Sequence, residues 1–237
     1  KAVILAAGVG KRLGNLTKNV PKPMIKIFDK PILEYIITDL VNSGFNEICI
    51  VIGYQGKQIE QYFGSGEEFN AKITYVTQVE YNGTADAVSY AKDFVKDEIF
   101  LLHLGDAINP KVLKKFTKNM LDDGSDVSII SVKIEDSMKK NVGNIEIDGN
   151  FVRKISEKSE IKKSHLAWAG ITIFKNGKIF EKIKMMNVSL TGEYEITEAI
   201  SMMIPEGKTV RNYVCETSID VGTEEGIKKA LSILQDK

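Results

Sequence analysis

Two glycines and two adjacent cations follow the first apolar run of the chain. Gly8 and Gly10 are one residue apart, and Lys11 and Arg12 come directly afterwards. Glycines let the backbone turn sharply and bring its N–H groups close to an anion. The planar fork of an arginine suits two oxygens of a phosphate. The pattern therefore indicates a phosphate-binding loop, with a plain tight turn as the alternative.

This loop does not match two common phosphate-binding fingerprints. The dinucleotide fingerprint needs Gly or Ala at its sixth position, where this chain has Leu13. A P-loop needs Gly five residues before its Gly-Lys pair and Ser or Thr after it, but Leu5 and Arg12 occupy those positions. An NAD-dependent oxidoreductase is therefore disfavoured.

A further cation lies between two prolines. Pro21 and Pro23 flank Lys22 and restrict the backbone on both sides of it. A restricted backbone suits a lysine whose ammonium must stay in one place next to an anion. A surface lysine in a turn is the other interpretation of the same three residues.

Alternating apolar and amphipathic segments predict the elements that position these cations. The segment 2–7 is continuously apolar, which is typical of a strand that is buried on both faces. An alternation of strands and helices predicts a doubly wound α/β unit, whose ligand site lies at the carboxyl ends of the strands. Further strands are predicted at 47–52, 73–78 and 99–104, and helices at 31–43, 55–63, 84–95 and 110–122.

The second half of the chain has more closely spaced strands. No linker or internal repeat separates the halves, so we expect one domain over residues 1–237 with a mostly parallel mixed sheet. Strands are predicted at 127–134, 144–147, 152–156, 171–174 and 210–215, a turn at 148–150, and helices at 175–183, 194–203 and 223–235.

Composition excludes several classes of protein. The chain has 32 basic and 32 acidic residues, and a net charge of zero argues against general nucleic-acid binding. Its two cysteines, Cys49 and Cys215, lie in apolar runs and are expected to be buried thiols. No apolar run approaches the roughly 20 residues that a membrane span needs, and the N-terminus does not resemble a signal peptide. We therefore expect a cytoplasmic protein with no membrane partner.

A series of motifs resembles those of the sugar-phosphate nucleotidylyltransferases, which include the glucose-1-phosphate uridylyl- and thymidylyltransferases. The motifs occur in the order of that family and cover essentially the whole chain. They lie at 5–13, 21–24, 29–33, 78, 82–87, 104–106, 156–158, 169–171, 192–197 and 220–223.

The resemblance implies a Rossmann-like nucleotide-diphospho-sugar transferase fold and a specific reaction. A sugar-1-phosphate, glucose-1-phosphate above all, attacks the α-phosphorus of a nucleoside triphosphate and displaces pyrophosphate. Because the attacking oxygen is already ionised, catalysis needs cations and a metal rather than a general base. Residues 1–125 would bind the nucleotide and residues 126–237 the sugar phosphate, without the C-terminal β-helix of longer relatives. His103 and His165 are expected to be structural.

The resemblance also implies roles for individual residues. Arg12, at the β- and γ-phosphates, and Lys22, at the α-phosphate, would be catalytic. Gln78 and Gly83 would face the base, and the amide of Gln78 suits uracil or thymine, so that UTP or dTTP is favoured. The implied nucleotide-binding residues are Leu5, Ala6, Ala7, Gly8, Gly10, Lys11, Gln78, Gly83 and Thr84.

Metal and sugar sites follow from the same resemblance. Asp106 and Asp220 would bind Mg²⁺, which prefers carboxylate oxygens. The implied sugar-phosphate residues are Gly143, Glu157, Lys158 and Gly170. Trp168 stands where relatives often have Asn, so the identity of the sugar stays open.

Two other functions remain open at this point. One is a CTP-dependent cytidylyltransferase that acts on choline phosphate or inositol phosphate. The other is a non-catalytic nucleotide-sugar sensor of the same fold, although a sensor has no need for two metal-binding aspartates. Whether the chain forms a homo-oligomer is also left open.

Overall fold

The computed structural model describes residues 1–10, 13–14, 17–157, 164–189 and 192–235. Its strands are β1 (Ala2–Ala6), β2 (Lys26–Ile27), β3 (Lys30–Pro31), β4 (Glu47–Ile52), β5 (Lys72–Thr77), β6 (Phe100–Leu104), β7 (Ala107–Ile108), β8 (Val127–Lys133), β9 (Gly143–Asp148), β10 (Phe151–Glu157), β11 (Leu166–Phe174), β12 (Val210–Cys215) and β13 (Ile219–Asp220). Its helices are α1 (Ile32–Asn42), α2 (Lys57–Phe63), α3 (Thr84–Ser89), α4 (Lys92–Val95), α5 (Val112–Asp122), α6 (Ile179–Met185), α7 (Ile196–Met203) and α8 (Glu224–Gln235). Short 3₁₀ helices span Lys22–Met24, Glu67–Phe69 and Asp136–Asn141.

Four parallel strands form the first part of the main sheet, in the order β5-β4-β1-β6. β1 lies between β4 and β6, and four of its five side chains are buried. This explains its unbroken apolar sequence, because neither face of the strand meets water. The carboxyl ends of the four strands lie at one edge of the sheet, as the alternation of elements predicted.

The rest of the sheet is mixed and closes on itself. β6 pairs with β11 in antiparallel orientation, and the order continues β11-β8-β12-β10-β9. β9 also pairs with β11, so these five strands form a closed ring. The expected α/β class with a mixed sheet is confirmed. Parallel pairing is nevertheless confined to β1, β4, β5 and β6 and to the pair β8–β12 in the described sheet, so the expectation of a mostly parallel sheet was wrong.

The ring depends on a longer β11 than the sequence predicted. The strand begins at Leu166 rather than near 171, and its first residues pair with β9, with Leu166 opposite Ile145. Its last residues pair with β6. The register shifts between Trp168 and Thr172, where Gly170 adopts a φ of +80°. Glycine in a strand marks such bulges, and here the bulge divides the two pairings.

One predicted helix is divided in two. The segment 84–95 forms α3 and α4, with Tyr90 and Ala91 between them. The amides of these two residues bond to carbonyls three residues back, at Ala87 and Val88. This tighter winding ends the α-helical ladder. By contrast, the turn predicted at 148–150 is confirmed, because Asp148 pairs with Phe151 across a two-residue connection.

Helices cover both faces of the sheet and enclose two apolar clusters. One cluster joins the sheet to α1, α5 and α8, and the other joins it to α3, α6 and α7. Cys49 and Cys215 are buried free thiols, as predicted. Burial raises the pKa of the Cys49 thiol to about 12 and that of Cys215 to about 11. None of the helices in the described ranges has the length and apolar character of a membrane-spanning segment.

Candidate active site

A pocket of about 400 Å³ opens at the carboxyl ends of the parallel strands. Most of the nucleotide-binding residues predicted from the sequence line it, together with two residues predicted for catalysis and metal binding. These residues are Leu5, Ala6, Ala7, Gly8, Gly10, Gln78, Gly83, Thr84, Lys22 and Asp106. The sequence assigned no binding role to the remaining lining residues, which are Val9, Pro23, Tyr81, Ala87, Leu104, Glu193 and Gly222. Tyr81, Glu193 and Gly222 lie within or between the family motifs, and that position was the available signal.

Three predicted residues lie outside the described part of the chain. They are Lys11, Arg12 and Lys158. Their roles remain predictions that rest on the family resemblance.

The two glycines of the loop differ in the space around them. Gly10 has a φ of +69°, and a Cβ there would stand 2.9 Å from Cγ2 of Thr17. The hydroxyl of Thr17 donates to the carbonyl oxygen of Gly10 at 3.0 Å and so holds this turn. Around Gly8, by contrast, no atom of the chain would lie within 4 Å of a Cβ. The protein's own packing therefore requires a glycine at position 10 but leaves the space beside Gly8 open to the pocket.

Lys22 is fixed between two buried prolines, as its sequence predicted. Pro21, Lys22 and Pro23 are all buried, and the amide of Met24 bonds to the carbonyl of Pro21 at 2.8 Å. The Lys22 ammonium donates to Oδ2 of Asp106 and reaches Oδ1 of Asp220 at 3.4 Å. These two acids were predicted as metal ligands from distant parts of the sequence, and the fold brings them to one cation.

A small second sheet brings the two aspartates together. β7 and β13 pair in antiparallel orientation, with Asp220 opposite Ala107. The amide of Val221 also bonds to the carbonyl oxygen of Asp106 at 3.0 Å. Beyond it, Gly222 donates its amide to Oδ1 of Asp220 at 2.7 Å. A Cβ at Gly222 would collide with the Lys22 ammonium, so a larger residue here would displace that cation from its present place.

The paired carboxylates fit a magnesium ion that shares its shell with a substrate. The side chains of Asp106 and Asp220 are 32% and 53% exposed, so both reach water. Mg²⁺ is commonly held by one or two carboxylates and completed by phosphate oxygens and water. Within the described ranges, no group of three or more His, Cys, Asp or Glu side chains could hold a metal. An ion here would therefore take its other ligands from the substrate or from solvent.

Gln78 meets the pocket in one orientation. It is 4% exposed, and its Nε2 donates to Oδ2 of Asp86 at 2.7 Å and to the carbonyl oxygen of Gly83 at 3.3 Å. A glutamine amide has two N–H donors and one acceptor oxygen. Both donors are engaged within the protein, so only the acceptor is available to a ligand.

The predicted sugar-phosphate residues divide into a polar cluster and a packing position. Gly143 pairs with Glu157, and a Cβ at Gly143 would stand 2.8 Å from Oε2 of Glu157. That oxygen accepts a hydrogen bond from Thr197 at 3.2 Å. Gly170 instead lies against the side chain of Leu104, which a Cβ would approach to 3.1 Å. Its contact with the site is indirect, because Leu104 lines the pocket.

Trp168 lies beside Gly143. Its Cβ is 3.7 Å from the position that a Cβ on Gly143 would occupy. The indole N–H donates to the hydroxyl of Thr172 at 3.0 Å and to the carbonyl oxygen of Ile171 at 3.2 Å. The only hydrogen-bonding group of this side chain is therefore directed into the protein. Trp168 therefore offers no free polar group, whereas an asparagine at this position would carry a polar amide.

Hydrogen bonds join the segments 82–85 and 194–195 next to the pocket. The amide of Ala85 bonds to the carbonyl of Tyr194, and the amide of Tyr194 bonds to the carbonyl of Asn82, both at 2.7 Å. The hydroxyl of Thr84 donates to Oε2 of Glu195 at 2.9 Å. Gly83 has a φ of +116°, and a Cβ there would stand 2.8 Å from the amide nitrogen of Tyr194. This glycine permits the close contact between the two segments.

Comparison with known proteins identifies the class of this site. The sequence profile of the family described as Nucleotidyl transferase matches residues 1–237. The chain belongs to the nucleotidyl transferase family. The family predicted from the motifs is thereby confirmed, and with it the expectation that the protein is an enzyme of the sugar-phosphate nucleotidylyltransferase class.

This transferase has relatives of different lengths. It is 32% identical to the UTP–glucose-1-phosphate uridylyltransferase AglF of Haloferax volcanii, over 100% of this chain and 97% of that protein. It is 38% identical to the bifunctional protein GlmU of Methanocaldococcus jannaschii, over 100% of this chain but only 54% of that protein. The chain therefore spans about half the length of GlmU.

The transferase also has a close structural counterpart. A Bacillus anthracis protein assigned as a glucose-1-phosphate thymidylyltransferase, solved in complex with sucrose, superimposes with a TM-score of 0.90. The alignment covers 100% of this chain and 96% of the other, with 26% identity.

Proposed function

We propose that the chain transfers a nucleotidyl group from UTP or dTTP to a sugar-1-phosphate, with glucose-1-phosphate as the first candidate, and releases pyrophosphate. The main support for this proposal is the arrangement of Lys22 and two aspartates. The Lys22 ammonium contacts both Asp106 and Asp220 at the wall of a pocket that begins in the glycine loop. A fixed cation and two carboxylates thus adjoin the glycine loop that we propose binds the triphosphate. The substrates named for AglF and for the B. anthracis protein support the choice of reactants.

The proposed reaction needs no general base, because the attacking phosphate oxygen is already ionised at neutral pH. In keeping with this, the lining residues of the pocket, as far as the structure describes it, include no histidine. His103 is buried beneath the site, and its Nδ1 lies 2.7 Å from the carbonyl oxygen of Leu104. Burial lowers the pKa of His103 to about 4. We assign it a structural role.

Charge stabilisation is the main task of the protein in this scheme. The backbone N–H groups of residues 8–10 would bind the triphosphate, with Arg12 at the β- and γ-phosphates and Lys11 close by. Lys22 would lie between the α-phosphate and the incoming sugar phosphate, where its charge offsets the repulsion of two anions. In-line attack on the α-phosphorus then forms the new P–O bond and breaks the bond to pyrophosphate.

We propose that Asp106 and Asp220 hold a Mg²⁺ ion during the reaction. Their exposure and common partner support this assignment. The bound ion would stabilise the negative charge that builds up on the leaving pyrophosphate. Lys22 would then be a second cation beside the ion, and its charge offsets the repulsion between the two carboxylates.

The sugar phosphate is proposed to bind beside the polar cluster of the second half. Glu157 would accept hydrogen bonds from sugar hydroxyls, Lys158 would pair with the phosphate, and Gly143 would let the sugar approach. Gly170 would contribute through its contact with Leu104. On this scheme residues 1–125 bind the nucleotide within a doubly wound, Rossmann-like arrangement, and residues 126–237 bind the sugar phosphate. The use of nucleoside triphosphates is consistent with action in the cytoplasm.

A panel of triphosphates tests this proposal. Purified protein is incubated with Mg²⁺, glucose-1-phosphate and each of UTP, dTTP, CTP, ATP and GTP, and pyrophosphate release is followed. We expect the highest kcat/KM with UTP or dTTP. A second arm replaces glucose-1-phosphate by choline phosphate or inositol phosphate with CTP. The greatest turnover in that arm would favour the cytidylyltransferase instead.

Binding without turnover would point to a sensor. If no triphosphate releases pyrophosphate with any acceptor, while UDP-glucose binds in the absence of Mg²⁺, the enzymatic proposal is wrong. Omitting Mg²⁺ with EDTA provides the matching control, because the proposed reaction should stop and then recover when the metal is returned.

A further inference from the structure

The protein holds the carboxamide of Gln78 in a single orientation. Its Nε2 has two hydrogens, and the two acceptors around it are Oδ2 of Asp86 and the carbonyl oxygen of Gly83. Turning the amide over would place its oxygen against a carboxylate and a carbonyl. Three acceptors would then face each other with no hydrogen between them, which is strongly unfavourable.

The oxygen of this amide is the atom left for a ligand. None of the described residues donates a hydrogen bond to Oε1 of Gln78, and Oε1 is not among the fully enclosed polar atoms that lack a partner. Because Gln78 is nearly buried and lines the pocket, the pocket is where a donor can reach this oxygen.

The two partners of Nε2 both lie at the start of α3, which is hydrogen-bonded to a neighbouring segment. Asp86 lies in the first turn of α3, and Gly83 directly precedes that helix. The amide of Ala85, between them, is bonded to the carbonyl of Tyr194 at 2.7 Å. The start of α3 therefore stays in place, and the orientation of Gln78 follows from that position.

We propose that Asp86 is a positioning residue that makes Gln78 an obligate hydrogen-bond acceptor and so selects uracil or thymine over cytosine. This inference rests on the proposed function, in which a pyrimidine base enters the pocket beside Gln78. N3 of uracil and thymine bears a hydrogen and donates to Oε1. N3 of cytosine bears a lone pair and is repelled by it, which is discrimination by an unfavourable contact with the wrong ligand. Asp86 does not touch the base itself.

The substitution Asp86→Asn tests this role with little change in shape. An asparagine can donate as well as accept, so it allows Gln78 to turn over and present its N–H groups to a base. We expect kcat/KM for UTP relative to CTP to fall roughly tenfold, which is the scale of one lost buried hydrogen bond. Asp93→Asn, an exposed acid in the first turn of α4, removes the same charge and should leave the ratio unchanged.

A double-mutant cycle separates positioning from a general effect. If Asp86 acts only through Gln78, Asp86→Asn should not lower the ratio further in a Gln78→Ala background. Additive losses in the double mutant, or a wild-type ratio in Asp86→Asn, would overturn the inference. Asp86→Glu, which keeps a carboxylate, should retain more of the discrimination than Asp86→Asn, and equal losses in the two variants would also contradict it.

Failure of the proposed function can be distinguished from failure of the role given to Asp86. If the wild type turns over no triphosphate, calorimetric binding of UTP and CTP to the wild type and to Asp86→Asn still measures the selectivity. Thermal unfolding of each variant shows whether it is folded. If Asp86→Asn does not fold, Asp86→Ser replaces it in the same comparison. A loss of selectivity in binding supports the role of Asp86, and an unchanged selectivity refutes it.

Discussion

The Lys22 ammonium lies 3.4 Å from Oδ1 of Asp220, although 198 positions separate the two residues in the chain. The same ammonium contacts Asp106, so a single cation joins a residue near the start of the chain to acids from its middle and its end. This contact depends on the pairing of β7 with β13. The site is therefore assembled by tertiary structure.

Replacing Lys22 by Met should remove most of the catalytic activity. Loss of one preorganised charge from a site of this kind typically lowers kcat by about 10²–10³-fold. Lys26→Met is the matched control, because Lys26 is exposed on β2 and should tolerate the change. Pyrophosphate release at saturating UTP and glucose-1-phosphate measures both. A rate in Lys22→Met within a few-fold of the wild type would contradict the role given to this lysine.

Two glycines of the site should respond differently to alanine. Gly8→Ala meets no atom of the chain within 4 Å, so the midpoint of thermal unfolding should stay unchanged while KM for the triphosphate rises. Gly222→Ala collides with the Lys22 ammonium and should lower both the unfolding midpoint and kcat. Measuring unfolding and kinetics on both variants tests the contrast. Equal destabilisation by the two substitutions would argue against an open space beside Gly8.

Tyr81 should contribute to nucleotide affinity without choosing the base. Its side chain is 47% exposed at the pocket, and its ring approaches Gly53 so closely that a Cβ there would stand 2.7 Å from Cε1. Stacking of a base on an aromatic ring contributes about 1–3 kcal/mol. Tyr81→Ala should therefore weaken UTP and CTP binding about tenfold each, whereas Tyr81→Phe should not. Calorimetry with both nucleotides provides the measurement, and a change confined to one nucleotide would contradict a stacking role.

His103 should make the protein less stable in mild acid. Burial lowers its pKa from an ordinary 6.5 to about 4, although a backbone bond to Leu104 and the charge of Asp106 oppose the shift. The unfolded chain therefore binds this proton at a higher pH than the folded chain. The stabilising contribution is complete above about pH 6.5 and falls as the pH drops towards 4, with a loss of about 2 kcal/mol by pH 5.

Urea unfolding at pH 7 and pH 5, with EDTA present, tests this expectation against His103→Gln. The variant lacks the titrating group, so the difference between the two pH values should be smaller by about 2 kcal/mol. An equal difference in the wild type and the variant would show that other groups cause the acid sensitivity.

The strands of the fold were the most predictable elements, because unbroken apolar runs mark strands that are buried on both faces. Glu47–Ile52 has the boundaries that the sequence predicted, and so does Val210–Cys215, although Arg211 and Asn212 interrupt its apolar run. The five-strand ring was not predicted, since it depends on the register between Leu166 and Ile145, and such long-range pairing leaves no local pattern. The division of the helix at Tyr90 and Ala91, where the amides bond to carbonyls three residues back, was not predicted either.

For the site, the sequence indicated which loops hold the chemistry but not how they meet. The glycine loop, Lys22 and Gln78 follow strands or prolines and were named in advance. The convergence of Asp106 and Asp220 relies on two-residue strands, which have no periodic signal. Asp86 was missed because it acts on Gln78 and not on a ligand, so its residue type alone gives no indication of a function.

Closing five strands into a ring changes what the sheet offers to other chains. An open sheet has two edges of unpaired N–H and C=O groups, and each can template the addition of a foreign strand. In the described main sheet, one of these edges is taken up by the pairing of β9 with β11, which leaves β5 as the outer strand. That strand exposes Lys72, Thr74 and Thr77, and a charged, polar border resists such growth. The ring in the second half of the chain thus also protects the protein against edge-to-edge aggregation.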